Sequence, residues 1–498
     1  MAAQIKTGAI LSYIALGLNV IIGLAFTPWV IKTIGTNDYG LYTLALSVIT
    51  LFVFDFGLST AVTRFTAKYL AENNTEQVNN VAGIIVKLYL YLDFIIFLIL
   101  CAVWFFIPSI YSNLTPTELE SFKVVFIISA AFSVISFPFI PLNGFLTAFE
   151  DFIQLKLCDM IHKVLIVVFL TACLLSGLGL YALVSVYALS GLIVIFIKLY
   201  FLHRYTSLQI NFSYSDRTLL KEILQFSGWT TVCSICQRLI FNIAPTILAM
   251  FANAASVAVL GIAVTFERYT YTFANAINGL FLPKVTRIVH DNESELINLM
   301  IRVGRLQVFI VGFLIAIYIV LGKEFISLWV GDSFSQAFLC ALLLIIPSFF
   351  QLPQEIGLTA IVVKNKVKLN AIVFIIMGVV NLLLMIPFAK YYGIIGIGWS
   401  IFISYMVRTL GLDWILSKHL GLDIILFFKK TFLKQLIPIS LSVMLGLSLS
   451  YFFDCKNWLS LIVAGVIFLA LYFVLFYFIS FNNYEKQLFK GFLIRVKK

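Results

Sequence analysis

Charged residues are scarce. Asp, Glu, Lys and Arg together make up 11% of the 498 residues, where a soluble domain carries about 25%. Set against a hydrophobic fraction of 62% and a mean hydropathy of +1.05, that shortage excludes a soluble enzyme or binding domain. Long polar loops are missing too. No segment between the apolar runs exceeds about twenty residues, which leaves no room for a separate catalytic domain. Histidine occurs four times, nowhere with a partner at metal-ligand spacing. There is no Walker sequence, no phosphate-cradling glycine loop and no Ser/His/Asp set. The chain therefore reads as a non-enzyme without a cofactor. Its work would draw on an H+ or Na+ gradient, on a partner or on the substrate gradient. Six of the seven cysteines, all but Cys455, lie in or at the ends of apolar runs and read as packing residues, not a disulfide framework. Cys233 and Cys236 have redox or metal spacing but no second Cys or His pair.

What is present is apolar sequence in bilayer-length runs. Fourteen spans are predicted, at about 8–31, 40–62, 83–107, 122–143, 158–176, 180–202, 225–250, 256–281, 304–322, 335–355, 369–389, 394–416, 435–453 and 458–481. The runs are continuous, not alternating, which argues against a β-barrel. The run from Gly8 to Ile31 is too long for a signal-peptide core and reads as a first spanning helix that stays.

The net charge of +11 could point to nucleic acid, but the basic residues are scattered through short loops. With an even number of spans both termini share a side, and 27 of the 34 Lys and Arg fall there. Five, Lys32, Lys123, Lys323, Lys390 and Lys456, fall on the other side, and Arg238 and Arg268 lie mid-helix. The asymmetry predicts cytoplasmic termini and no nucleic-acid role.

The chain also repeats itself. Val62-Thr63-Arg64 with Glu72 recurs 223 residues later as Val285-Thr286-Arg287 with Glu295. Pro141, Leu146-Thr147-Ala148 and Lys156-Leu157 recur 212 residues later as Pro353, Leu358-Thr359-Ala360 and Lys368-Leu369. These matches pair span two with span eight, and the loop after span four with the loop after span ten. They predict two parallel six-helix lobes, residues 1–222 and 223–418, with two added helices and a tail over 419–498.

Charges inside apolar runs are costly and mark candidate sites. Asp55 and Ser59 lie one turn apart in span two. Span seven carries Ser227, Thr231, Ser234, Arg238 and Asn242 within an arc of about 80°. Span eight places Glu267, Arg268, Tyr271, Asn275 and Asn278 within about 100°. If the repeat holds, these polar faces meet around a wet cavity; the alternative is polar glue between helices. Asp159, His162 and Lys163 lie within one turn at the end of span five and read equally as a surface ion cluster or a site. Arg408 and Asp413 in span twelve are similar.

Several motifs resemble the bacterial polysaccharide exporters. These are Ile34-Gly35 followed by Tyr39-Gly40-Leu41-Tyr42, then Asp55-Phe56-Gly57-Leu58, then Arg64. Leu328-Trp329-Val330-Gly331, Pro283 and Tyr391-Tyr392-Gly393-Ile394-Ile395-Gly396 add to them. The resemblance is to the O-antigen repeat-unit flippases, in the superfamily that includes multidrug antiporters and the lipid II flippase. Many relatives carry an acid late in span seven, where this chain has Ala244-Pro245. The resemblance implies an all-α, MATE-like membrane fold. It implies a lipid-linked oligosaccharide substrate on undecaprenyl diphosphate, moved across a bacterial cytoplasmic (inner) membrane, with polysaccharide polymerase and assembly proteins as partners beside membrane lipids. In that frame Arg238 and Arg268 hold the diphosphate, with Asn242, Tyr271, Asn275 and Asn278 for sugar hydroxyls. Asp55 and Glu267 serve ion coupling or tune the arginines, and Arg64, Asp159, Lys163 and Arg408 are secondary candidates. An ion-coupled drug or small-molecule antiporter of the same fold is the alternative. A membrane glycosyltransferase, polymerase or ligase would need a large catalytic loop that is not here.

Overall fold

The computed structural model describes residues 2–53, 55, 57–275, 285, 288, 293–364, 366–452 and 455–487. Among them every regular element is a helix. Among the described residues eleven helices are long and apolar enough to cross a bilayer. Two of these turn at a left-handed glycine, Gly35 (φ 84°) and Gly393 (φ 56°), and each supplies two spans. The helix Ala254–Asn275 takes the place of the eighth. The fourteen-span order follows, and the chain is a multi-span membrane protein.

Two compact units make up the chain, residues 1–261 with 378–397 and residues 262–377 with 398–498. In the first, α1 (Ala2–Phe52) packs on α4 (Pro116–Ser136), α6 (Phe152–Leu175) and α7 (Leu180–Tyr205). α2 (Leu58–Ala71) packs on α3 (Thr75–Ile110), α5 (Leu142–Ala148) and α8 (Arg217–Phe241). α9 (Ala244–Phe251) follows, and α10 (Ala254–Asn275) begins here. Polar caps fix where spans start. Thr115 and Glu118 form a capping box around Pro116. Asp216 accepts the Thr218 and Leu219 N–H groups at 2.7 and 3.2 Å at the start of α8. The Leu219 and Thr218 bonds hold its exposed carboxyl below the usual carboxylate range. The segment before it folds back on α3, where Lys87 donates to the Phe212 carbonyl and Asn211 to Asn80.

Several spans are broken, which the apolar pattern alone did not show. The second is not one helix over 40–62. It stops at Phe52 and restarts at Leu58. Asp55 sits in the gap, and Gly57 (φ 74°) supplies a conformation unfavourable to other residues. The seventh breaks between Phe241 and Ala244, ahead of Pro245, whose ring suits a helix start. The fifth starts earlier than expected, at Phe152 and not at 158. The fourth passes through a 3-10 turn at Phe137–Phe139 into α5. The tenth does the same, from α12 (Ala337–Gln351) through Leu352–Gln354 into α13 (Glu355–Val363).

In the second unit α11 (Glu293–Val330) carries α12, α16 (Lys434–Phe452) and α17 (Trp458–Ile479). α14 (Val367–Leu420) passes through both units, and the short α15 (Ile424–Phe428) precedes α16. The added C-terminal helices are held by aromatic packing. Phe309 and Phe313 of α11 meet Phe468, Tyr472 and Phe476, with ring centroids 5.0 to 6.2 Å apart. Cys455, the one cysteine outside an apolar run, is buried in this cluster. Buried Arg305 on α11 closes one end. It donates to both Glu485 oxygens at 2.6 and 2.9 Å and to the carbonyls of Ser480 and Lys430. Replacing Arg305 by Ala leaves Glu485 buried and unpaired, and should lower unfolding stability in detergent by about 3–5 kcal/mol. Arg305→Met combined with Glu485→Leu should recover most of that loss in the same thermal unfolding measurement.

Candidate functional site

Each unit holds a set of polar groups at membrane depth. In the first, Asp55 lies in the gap between α1 and α2. Its Oδ1 accepts the Ser59 N–H at 3.0 Å and the Tyr89 hydroxyl, from α3, at 3.3 Å. Tyr89 is fully buried and Asp55 half-buried. The carboxylate thus satisfies a backbone donor freed by the break, at the positive end of a half-helix. Gly57 lets α8 approach: a Cβ there would lie 3.0 Å from Thr230 Oγ1. Thr63 donates to the Gly144 carbonyl at 3.1 Å and ties α2 to α5. Arg64 is exposed and stacks 4.2 Å from the Phe226 ring centroid.

The second unit gathers a larger cluster. Glu267 and Tyr271 lie one turn apart on α10, Glu355 opens α13, and Tyr405 and Arg408 lie on α14. Arg408 Nη2 is 3.8 Å from Glu355 Oε1, with 3% of the Arg408 side chain exposed. The guanidinium also lies 5.0 Å from the Phe374 ring centroid. Gln351 donates to Glu355. Tyr271 and Tyr405 are both within electrostatic reach of Glu267, Glu355 and Arg408. Arg408 Nη1 and both amide atoms of Gln354 are buried without a hydrogen-bond partner among the described residues. Arg408 acts on Glu355 and Arg268 on Glu267, so two carboxylates meet two guanidiniums. The described residues contain no group of three or more His, Cys, Asp or Glu placed to hold a metal ion.

The other expected site residues are placed as follows. Arg238 is exposed near the end of α8, and Asn242 follows as its C-cap, its N–H on the Arg238 carbonyl at 3.0 Å. The far end of that stripe is buried, since Ser227 turns inward and bonds the Ile223 carbonyl. Arg268 is exposed beside Glu267, and Asn275 is half-buried. Asn278 lies outside the described residues, as do Pro283, Thr286 and Arg287 of the expected motifs. Of the expected residues, Glu267, Tyr271 and Arg408 are brought together; Glu355, Tyr405 and Gln354 join them unforeseen. A signal for Glu355 existed, because it lies two residues after Pro353 in the repeated motif.

A family model described as polysaccharide biosynthesis protein matches residues 5–289. The chain belongs to this polysaccharide biosynthesis protein family. It is also similar to the uncharacterized membrane protein EpsK of Bacillus subtilis, 24% identical over 95% of this chain and 94% of the relative. Among solved structures it resembles the lipid II flippase MurJ in its inward closed conformation, with a TM-score of 0.71 at 14% identity over 94% of this chain and 98% of that one. It resembles an inward-facing multidrug resistance MATE family transporter with a TM-score of 0.67 at 16% identity, over 82% and 97%. The fold is therefore MATE-like.

The Asp55 geometry separates cap from charge. Asp55→Asn keeps an acceptor for the Ser59 N–H and should leave thermal stability near wild type. Asp55→Ala should cost about 1 kcal/mol. If only the cap matters, Asp55→Asn should also keep surface polysaccharide at wild-type level; if the charge works in coupling, it should lower it as far as Asp55→Ala does.

Proposed function

We propose that the protein is a flippase for a lipid-linked oligosaccharide. It moves a polysaccharide repeat unit on undecaprenyl diphosphate, such as an O-antigen unit, from the cytoplasmic to the outer leaflet of the bacterial cytoplasmic membrane by alternating access. The observation that carries the reading is membership of the polysaccharide biosynthesis family in a chain that carries charged groups inside its spans. Both termini are cytoplasmic in this reading, and a polymerase with its assembly proteins takes the product. No step of it makes or breaks a covalent bond.

Arg238 and Arg268 supply charge for the diphosphate, since guanidinium suits phosphate oxygens. Asn242, Tyr271, Asn275 and Asn278 offer hydrogen bonds to sugar hydroxyls. Asp55 and Glu267 couple transport to H+ or Na+, and Glu355 with Arg408 extends that set in the second unit. An ion-coupled drug antiporter is the second reading, favoured by the two acids, Glu267 and Glu355, gathered near Tyr271 and Tyr405.

Chromosomal Arg238→Ala and Arg268→Ala variants should insert at wild-type level and lose most surface polysaccharide, measured by sugar-specific blotting. Normal polysaccharide in both, together with a changed drug susceptibility, would favour the antiporter.

A further inference from the structure

Residues 206–216, which join α7 to α8, form no helix, yet they are strapped tightly to α3. The Thr206 N–H bonds the Leu202 carbonyl at 3.0 Å, and the Leu208 N–H bonds the Thr206 hydroxyl at 3.4 Å. Both the Gln209 and the Asn211 N–H reach Asn79 of α3, on its side-chain oxygen at 2.8 Å and its carbonyl at 3.2 Å. The Ser213 N–H bonds the Asn211 side chain at 3.1 Å. In turn the Asn211 amide donates to Asn80, and Lys87 Nζ donates to the carbonyls of Phe212 and Tyr214. Gly83 makes room for the strap: a Cβ there would lie 1.9 Å from the Asn211 carbonyl oxygen.

The depth of the strap follows from α3. The apolar run of that helix starts at Gly83, and Lys87 lies about 6 Å further in. A cation inside an apolar run needs a partner within the protein, and the carbonyls of Phe212 and Tyr214 supply it. The strap therefore lies at the level where hydrocarbon begins. A loop in water leaves its N–H groups to the solvent. Here the protein answers those of Thr206, Leu208, Gln209, Asn211 and Ser213, as backbone touching lipid requires. The outer side of the strap suits the same setting. Asn211 turns in toward α3, while Ile210 and Phe212 on either side of it are 41% and 53% exposed. Tyr205, at the end of α7, is exposed as well, and aromatic rings favour the headgroup level. Arg204 and Arg217 stand exposed at the two ends of the strap, where a guanidinium can meet phosphate.

We propose that residues 206–216 form a membrane-surface segment whose partner is the phospholipid bilayer itself. Ile210 and Phe212 sit at the boundary between headgroups and acyl chains, and Arg204 and Arg217 sit on the phosphates. The segment ends at Asp216, the N-cap of α8, so it holds the start of that span at a fixed depth. None of this depends on what the chain transports.

The test uses the full chain in nanodiscs of phosphatidylethanolamine and phosphatidylglycerol, with two carbene-generating photoprobes, one dissolved in water and one in the bilayer, read by mass spectrometry. Two stretches serve as references: residues 94–106, whose Phe94 and Phe105 are exposed on the apolar run of α3, and the exposed polar turn at 72–76. Ile210 and Phe212 should be labelled from the bilayer, with a bilayer-to-water ratio close to that of residues 94–106. Gly83→Ala, which pushes the strap off α3, should move that ratio toward the value of the turn. Lys87→Met, which removes the donor to the two carbonyls without adding bulk against the strap, should move it the same way. A wild-type ratio like that of the turn overturns the proposal. So does protection from both probes, the mark of a surface covered by a second copy of the chain. The proposal also fails if neither variant moves the ratio.

Discussion

A charge or a free backbone group in hydrocarbon must find its partner inside the protein. The internal design follows from that constraint. Where a span breaks, something polar answers the break: Asp55 takes the Ser59 N–H in the gap of the second span. Two carboxylates have a cation against them. Arg305 grips Glu485 through two bonds, and Arg408 stands opposite Glu355.

The two buried arginines do different work. Arg305 is buried and spends its donors on a carboxylate and two carbonyls. That is a fastening, and it explains how the last two helices stay attached. Arg408 makes a looser contact and leaves a nitrogen unused beside phenols and a second acid.

Much of this was legible in the sequence. Apolar run length gave the span order, and glycines and prolines fell where helices turn or restart. Motif residues pointed to the family, and its model matches the first 289 residues but for four. Other features were not legible because they depend on distance in space. Asp55 read as a charge inside a continuous helix, since the break depends on Gly57 taking a left-handed backbone. Glu355 read as a span end, and only α14 folding over it reveals its partner. Lys198 was counted among the basic residues that orient the chain, and its bond to Asn143 of α5, 55 residues away, left no local pattern. The Arg305–Glu485 pair, 180 residues apart, left no local pattern to find.

In the proposed function this chain alone moves a lipid-linked oligosaccharide between leaflets. The direct measurement is a reconstituted assay: purified protein in liposomes carrying a labelled undecaprenyl-diphosphate oligosaccharide on the inner leaflet, with an impermeant glycosidase outside. The labelled sugar should become cleavable at a rate that scales with protein per liposome and falls sharply for Arg268→Ala. Cleavage no faster than in protein-free liposomes, with and without an imposed H+ or Na+ gradient, would contradict it.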